Sequence, residues 1–267
     1  MKGQRILEVK KLFLSRKQIL NTELCEIFNV SIETVRRDLN ILEKEGFIRK
    51  IYGGARVVES SHLPDSIEKW DIRIDKNELA KKCIAAETAK LIRDGCTVFL
   101  DSGTSTFEVA SFLKERKNLT ILTNSVRIAQ ELGMCSDLLV YFIGGLIKTD
   151  ILASSGFFAT EFLSYFYHID CAVISCDGFI PDKGSMELSL ELSVLKKSIL
   201  EKADAVIVPV DHSKIGVSGN CLACSVSRIH TLVTDSLTPP QAIEAMRAAG
   251  IRVIVSPLEA ASSLSPQ

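Results

Sequence analysis

Several things are missing from this chain, and each absence narrows its class. There is no run of about 18 consecutive apolar residues, so no stretch is expected to cross a bilayer as a helix. The N-terminus, Met1-Lys2-Gly3-Gln4-Arg5, lacks the apolar segment of a signal peptide. A cytoplasmic protein with no membrane partner is therefore expected. A second Cys-x-x-Cys pair is also missing. Cys221-Leu222-Ala223-Cys224 stands alone, with His212 and His230 not far away in sequence, whereas a structural zinc site commonly draws on two such pairs. No metal and no cofactor are expected, and the eight cysteines are expected to be reduced, many of them buried as small apolar side chains. Solenoid repeats and low-complexity tracts are absent as well. With 46% hydrophobic residues, the 267-residue chain can build packed cores and is long enough for one small domain and one of ordinary size.

A net charge is missing too, since the total is only -1, but that figure conceals an asymmetry. Residues 1–58 hold 12 Lys and Arg against 7 Asp and Glu, and the remainder holds 20 against 26. A basic N-terminal module on an acidic body implies that the first part meets a polyanion.

Within the basic module, Ile6, Val9 and Phe13 give one helical stripe. Thr22 is placed to cap a second helix with Leu24, Ile27 and Phe28 on its inner face. After a step from Asn29 to Ile32, Ser31 caps a third helix whose apolar stripe is Val35, Leu39 and Leu42. Thr34, Arg36, Arg37 and Asn40 lie off that stripe. A capped helix with this back and this front suits a DNA major groove, although taken alone it also fits a surface helix with solvated arginines. Gly46 ends the helix. Phe47–Tyr52 and Ala55–Val58 then form two strands about a Gly53-Gly54 turn, a wing whose Arg49, Lys50 and Arg56 suit phosphates.

Taken together, Val30-Ser31-x-x-Thr34-Val35-Arg36-Arg37-Asp38-Leu39, Leu42-Glu43-x-x-Gly46 and Tyr52-Gly53-Gly54-Ala55 resemble the helix-turn-helix of the DeoR family of bacterial transcriptional regulators. The resemblance covers residues 3–58, with the helix-turn-helix at about 20–39. It implies DNA contacts from Ser31, Thr34, Arg36, Arg37, Asn40, Arg49, Lys50, Tyr52, Gly53 and Arg56.

Residues 59–76 are polar and irregular and read as a linker. From residue 77 to about 257 the pattern changes. A helix over 77–93, with Leu79, Ile84, Thr88 and Leu91 inward, precedes short apolar strands at 97–100, 119–122, 138–143, 172–175, 205–208, 231–233 and 252–255. Helices are expected from about Phe107, after Ser125 and over Pro240–Ala249. Such alternation predicts an α/β domain with a mainly parallel sheet covered on both faces.

Polar clusters follow the strands, and in such a sheet ligands bind at the strands' carboxyl ends. Asp101-Ser102-Gly103-Thr104-Ser105-Thr106 joins a strand to a helix and can cradle a phosphate through hydroxyls and helix-start amides. The same loop would also serve as a plain helix cap. Lys214 offers a cation for that anion, and Asp101, Asp177 and Asp211 offer acceptors for sugar hydroxyls.

Asp101-Ser102-Gly103-Thr104, Thr123-Asn124-Ser125, Gly144-Gly145, Asp211-His212-Ser213-Lys214 and Thr234-Asp235 also resemble the C-terminal sensor of the same family. That resemblance implies a fold like ribose-5-phosphate isomerase and a phosphorylated sugar or related metabolite as effector. The implied effector contacts are Asp101, Ser102, Gly103, Thr104, Ser105, Thr106, Thr123, Asn124, Gly144, Gly145, Asp177, Asp211 and Lys214. Two stretches depart from the pattern: Ser154-Ser155-Gly156-Phe157-Phe158 is unusually aromatic, and Met186–Leu192 only loosely matches an acidic segment before Lys196-Lys197.

The expected protein is thus a ligand-responsive regulator, a repressor of carbohydrate genes, with operator DNA and a phosphorylated sugar as partners and no catalytic residues. A homodimer or homotetramer held by the C-terminal domain is expected, because bacterial regulators commonly pair two half-sites. A sugar-phosphate isomerase is the alternative, but it would have no use for a reading helix. A non-specific architectural DNA binder would leave the hydroxyl-rich loops unexplained.

Overall fold

A computed structural model of the protein describes residues 2–16, 18–44, 48–51, 53–57 and 70–258. The chain divides into two units, residues 1–62 and 63–267.

The first unit consists of α1 (Lys2–Arg16), β1 (Gln18–Leu20), α2 (Asn21–Phe28), α3 (Ile32–Lys44), β2 (Ile48–Ile51) and β3 (Gly54–Val57). Its core gathers Val9 and Phe13 of α1, Leu24 of α2, and Val35, Leu39 and Leu42 of α3 over Ile19, Ile48 and Ala55 of the strands. The Val35, Leu39 and Leu42 stripe is buried as expected, and burying one such side chain contributes roughly 1.5–3 kcal/mol. Arg5 of α1 clasps Asp38 of α3, Nε to Oδ2 at 2.7 Å.

Three details differ from the sequence reading. Thr22 is not the cap of α2, which starts from Leu20 without a side-chain cap. The amide of Asn21 instead donates to the Gly53 carbonyl at 2.9 Å, so the wing's backbone does the capping. Ile27 is exposed, because Leu24 and Phe28, one turn apart, already define the inner face. Finally, the wing has a third strand, since β1 pairs with β3. This pairing needs Gly54, where a Cβ would stand 2.4 Å from the Ile19 carbonyl oxygen. Gly53 turns the chain at φ +76°, which suits glycine. Gly46, Phe47, Tyr52, Val58 and linker residues 59–69 lie outside the described residues.

The second unit opens with α4 (Trp70–Asp75), inside the stretch read as linker. The chain's only tryptophan anchors this helix. Trp70 is buried, packs edge-on against Phe107 at 5.6 Å and lies under the Arg127 guanidinium. Asn77, left-handed at φ 51°, separates α4 from α5 (Glu78–Ala89), so the expected single helix over 77–93 is shorter. Ile84 and Thr88 of α5 are buried, but Leu79 in its first turn is exposed, on the far side of the buried stripe.

The remaining elements are β4 (Thr97–Leu100), α6 (Thr104–Ser111), β5 (Leu119–Thr123), α7 (Val126–Leu132), β6 (Leu138–Phe142), β7 (Leu146–Lys148), β8 (Ala153–Ser155), α8 (Phe157–Phe162), β9 (Ile169–Val173), β10 (Gly178–Ile180), β11 (Gly184–Glu187), α9 (Leu190–Leu200), β12 (Ala203–Pro209), β13 (Cys221–Ser225), β14 (Thr231–Asp235), α10 (Pro240–Ala248) and β15 (Arg252–Ser256). The helix expected from Phe107 therefore begins one turn earlier, at Thr104.

Seven strands form one sheet in the order β15-β14-β12-β9-β4-β5-β6, and every pair in it is parallel. Alternate residues feed two cores on opposite faces. Phe99, Ala172, Val206 and Val208 join the core under α8, α9 and α10, whereas Val98, Leu100, Val173 and Ile207 join the core under α5, α6 and α7. The antiparallel hairpin β7–β8 and the small sheet β10-β11-β13 are additions that apolar runs did not announce. From β4 the chain steps outward to β5 and β6, then returns to place β9 on the other side of β4. The order reverses there, and the crevice between the two loops is where such sheets bind ligands.

Truncating the first unit's core tests its independence. Leu42→Ala should cost that unit about 2–5 kcal/mol and shift its helical circular-dichroism transition in urea. Unfolding followed by Trp70 fluorescence, which reports only the second unit, should not move.

Candidate functional site

Two sites stand on these frames. On the first unit, Ser31 starts α3 as expected: its hydroxyl accepts from the Thr34 amide at 3.4 Å and lies 3.0 Å from the Thr34 hydroxyl. Arg36, Arg37 and Asn40 are exposed on α3, and Arg49, Gly53 and Arg56 on the wing. Arg49 and Arg56 face each other across the β2–β3 register. Like charges directly opposite one another destabilise a sheet, so this pairing suits a surface that meets a polyanion. Lys50 is less free than its position in the sequence implied. Its ammonium bonds Asn40 and pairs with Glu43 at 2.8 Å, which ties the wing to α3. Tyr52 lies outside the described residues.

The second site is at the reversal between β4 and β9. Asp101 follows β4 fully buried, with both oxygens of its carboxylate engaged. Oδ1 accepts from the Ser102 amide at 2.8 Å, and Oδ2 accepts from the Ser175 amide at 2.9 Å and its hydroxyl at 2.6 Å. The Lys196 ammonium of α9 completes the shell at 2.8 Å. Lys196 also donates to the Ser175 carbonyl at 2.7 Å and to the buried Glu187 of β11. Burial opposes a charge on Lys196, but the two carboxylates outweigh it and hold the ammonium above its usual range. Burial pushes Glu187 up to about 8, opposed by Lys196 and reinforced by Asp177 and Asp101. The oxygens of Asp101, expected as a sugar acceptor, are thus engaged within the chain. Lys196, Glu187 and Ser175 were not among the expected contacts.

Around this cluster the loop 102–106 opens α6. A Cβ on Gly103 would stand 2.3 Å from the Ser175 Cβ, so only glycine lets the loop approach β9 this closely. Thr106 is consumed locally: its hydroxyl accepts from the Gly103 amide at 2.9 Å and donates to backbone carbonyls. Thr104 and Ser105 are buried in the first helical turn, where amides have no intrahelical partner. The Ser105 hydroxyl and Asn124 Oδ1 are buried without a partner.

Cations gather on the other side of the loops. The Lys214 ammonium donates to the Cys176 carbonyl at 2.6 Å, one residue from the carbonyl held by Lys196. Lys81 of α5 is buried, with its ammonium on the Arg73 and Ile74 carbonyls. Burial, helped by the Lys214 charge and opposed by Asp211, pushes Lys81 down to about 8. Arg73 reaches Asp177 at 3.5 Å. Although burial raises it, Asp177 stays below the usual carboxylate range because of Arg73 and the Leu188 amide. Asp211, buried and likewise low, is held by Lys214, Ser213 and Asn77, whose amide donates at 2.8 Å. The cluster therefore includes Arg73 and Lys81, which the linker reading and the helix reading hid.

Other expected contacts play supporting parts. The Thr123 hydroxyl accepts from the Ser125 amide at 3.1 Å. Asn124 Nδ2 donates towards Ser102 Oγ at 3.4 Å and to the Ser154 carbonyl at 3.2 Å. Gly145, at φ +136°, lets the chain pass the Ser155 carbonyl, and Gly144 faces open space. Cys221 and Cys224 lie along β13, where burial pushes the Cys224 thiol up to about 11, away from the thiolate that a metal requires. Among the described residues no helix is long and apolar enough to cross a membrane.

A winged helix-turn-helix joined to an α/β domain with a polar cluster at its topological switch point defines a DNA-binding regulator with a sensor. The family models agree: residues 5–61 match the DeoR-like helix-turn-helix domain and residues 76–236 the DeoR C-terminal sensor domain. The chain belongs to the DeoR family of transcriptional regulators, and it is a regulator rather than an enzyme. An uncharacterized HTH-type regulator, YulB of Bacillus subtilis, is 31% identical over 96% of both chains. The regulator IolR of the same organism is 34% identical over 88% of this chain and 92% of its own. The glycerol-3-phosphate regulon repressor of Escherichia coli is 31% identical over 84% and 87%. A ribose-5-phosphate isomerase in complex with phospho-erythronic acid aligns with 52% of this chain and 53% of its own, at 21% identity and a TM-score of 0.39.

The buried cluster has a definite pH signature. Glu187 holds a proton in the folded unit that the unfolded chain has released, so its stabilising share is complete below about 4.5 and is lost as pH rises through about 8. Glu187→Gln should flatten that slope in urea unfolding followed by Trp70 fluorescence. Lys196→Met leaves two buried acids without their cation, and should cost about 3–5 kcal/mol at alkaline pH, less as acid protonates them. An unchanged unfolding curve would show that the cluster carries no such charge. On the first unit, Arg37→Ala should lose about 1–3 kcal/mol at the operator alone, whereas Arg49→Ala should weaken all duplexes alike. Anisotropy titrations against operator and scrambled DNA separate these outcomes.

Proposed function

We propose that the protein is a repressor of carbohydrate-metabolism genes whose affinity for its operator is set by a phosphorylated sugar. Its place of action is the cytoplasm. The observation that carries this reading is the juxtaposition at the β4–β9 reversal of an unpartnered Ser105 hydroxyl, a helix start and the cations Lys214, Lys81 and Arg73. A phosphate would take hydrogen bonds from Thr104 and Ser105 and charge from Lys214, with Lys81 and Arg73 close by. Asp177 and Asp211 would accept from sugar hydroxyls, while Asp101 fixes the loop through Lys196 and Ser175. The relatives' names, a glycerol-3-phosphate regulon repressor and a putative aga operon repressor among them, support a sugar-related regulon. The protein would act as a homodimer or homotetramer held by residues 77–267, so that two reading helices meet two half-sites.

Effector and DNA then alter each other's affinity by the same factor, so an inducer must prefer the DNA-free protein and a corepressor the DNA-bound one. Calorimetry of the full chain against a panel of sugar phosphates tests the site. Thr104→Ala combined with Lys214→Ala should weaken the ligand that binds by about a hundredfold or more, since hydrogen bonds to charged groups contribute roughly 1.5–3 kcal/mol each. Operator affinity should stay near its unliganded value. Undiminished binding would place the effector elsewhere.

A further inference from the structure

The aromatic stretch at 157–158 has no part in the site described above, and it lies on an apolar surface that the fold leaves uncovered. Phe157 and Phe158 open α8 at 73% and 75% exposure, stacked edge-to-face at 5.6 Å, so each fixes the other. Leu146, 71% exposed, pairs across the β7–β8 hairpin with Ser155, two residues before Phe157. The same surface continues onto α9, which packs against both α8 and β8. Lys148 at the end of β7 bonds Ser189 and Glu191 at the start of α9, both at 2.8 Å. Leu190 and Val194, one turn apart on α9, are 64% and 46% exposed.

These five side chains leave roughly 550 Å² of apolar surface in water, taking ~200 Å² for an aromatic side chain and somewhat less for an aliphatic one. Such a patch stands at the top of the range for monomers, roughly 300–600 Å². It also matches the apolar share of a standard interface, about 60% of some 800 Å² per partner. The surrounding charges decide between occupants. Glu161 and Glu191 stand with Lys148 and Lys197, both signs in equal number. A membrane surface or a polyanion selects a basic surround, which is absent here. Lys148 and Glu191 already pair within the chain, so a second copy of the same surface meets no net repulsion, and a two-fold axis can set Glu161 opposite Lys197.

We propose that Phe157, Phe158, Leu146, Leu190 and Val194 form an isologous interface with a second copy of this chain. The proposal rests on the reading above that the protein is an oligomer, and it assigns the surface that makes it one. Analytical ultracentrifugation of the full chain at micromolar concentration tests it. The wild-type protein should sediment as a dimer or larger. Phe157→Asp with Phe158→Asp should weaken self-association by about a hundredfold or more, as loss of central aromatic anchors does. Leu190→Asp with Val194→Asp should do the same from the other side of the patch. All four side chains are substantially exposed, and an unchanged Trp70 fluorescence melt identifies each variant as folded. If either variant pair fails that check, the other decides. A wild-type oligomer that both folded variants preserve would overturn this surface while leaving the oligomer reading intact. A monomeric wild-type protein would overturn both.

Discussion

The sensor depends on one buried ammonium. Lys196 comes from α9, yet its partners belong to three other segments: Asp101 at the end of β4, the Ser175 carbonyl after β9, and Glu187 of β11. Withdrawing three ionisable groups from water is expensive, and their attraction offsets that cost only when the geometry is good and the remaining lone pairs are satisfied. Here Asp101 is satisfied by two amides and a hydroxyl besides the ammonium. The arrangement therefore tolerates little displacement. Because Asp101 and Ser175 flank the crevice at which the strand order reverses, the ion cluster fixes the two loops that any ligand of that crevice must touch. A rigid frame of this kind lets a few free groups, the Ser105 hydroxyl and the first amides of α6, stand ready without reorganising.

What the sequence could disclose follows from the range of the interactions. The reading helix was legible because its determinants are local: a capping serine, a stripe at i, i+4 and i+7, and basic residues off that stripe. The parallel sheet was legible because both faces are buried and each strand is a short apolar run. The loops at strand ends were therefore placed correctly. The role of Asp101 was not. Beside Ser102, Gly103 and Thr104 it looks like a ligand contact, and only the pairing with Lys196, 95 positions further on, reveals that its oxygens are taken. Lys196 and Lys197 are alike in the sequence, yet Lys197 is exposed while Lys196 is buried. A lysine amid Leu192, Leu195 and Ile199 was the available signal, since a helix that buries those three carries Lys196 on the same side.

Other misses share a cause. β1 has three residues and no alternation to display, and it exists because Gly54 admits its backbone. α4 was lost in a polar stretch, although the chain's single Trp marks it. Arg73 and Lys81 then went unseen, because a cation in a linker or on a helix is ordinarily solvated. The burial of Lys81 near Lys214 and Arg73 is a tertiary fact. There Arg73, Lys81 and Lys214 stand with two carboxylates, Asp177 and Asp211, while Lys196 is matched by Asp101 and Glu187.

The pocket and the apolar surface share a structural element. β8 is held to the pocket by the Ser154 amide on the Asn124 carbonyl at 2.8 Å and by the Asn124 side chain on the Ser154 carbonyl at 3.2 Å. Two residues beyond β8 the chain reaches Phe157, with Gly156 as the joint at φ +91°. Asn124 also reaches towards Ser102 in the loop that opens α6. A ligand that drew Ser102 or Asn124 towards itself would thus pull on the strand that leads into the aromatic pair of α8. If two positions of that strand differ in how well they present Phe157 and Phe158 to another copy, ligand binding and self-association are linked, and each must alter the other by the same free energy. Regulation would then require no signal to cross the sensor's core. It would pass along one hydrogen-bonded strand at the sheet's carboxyl edge, from the groups proposed to meet the ligand to the surface proposed to join two copies.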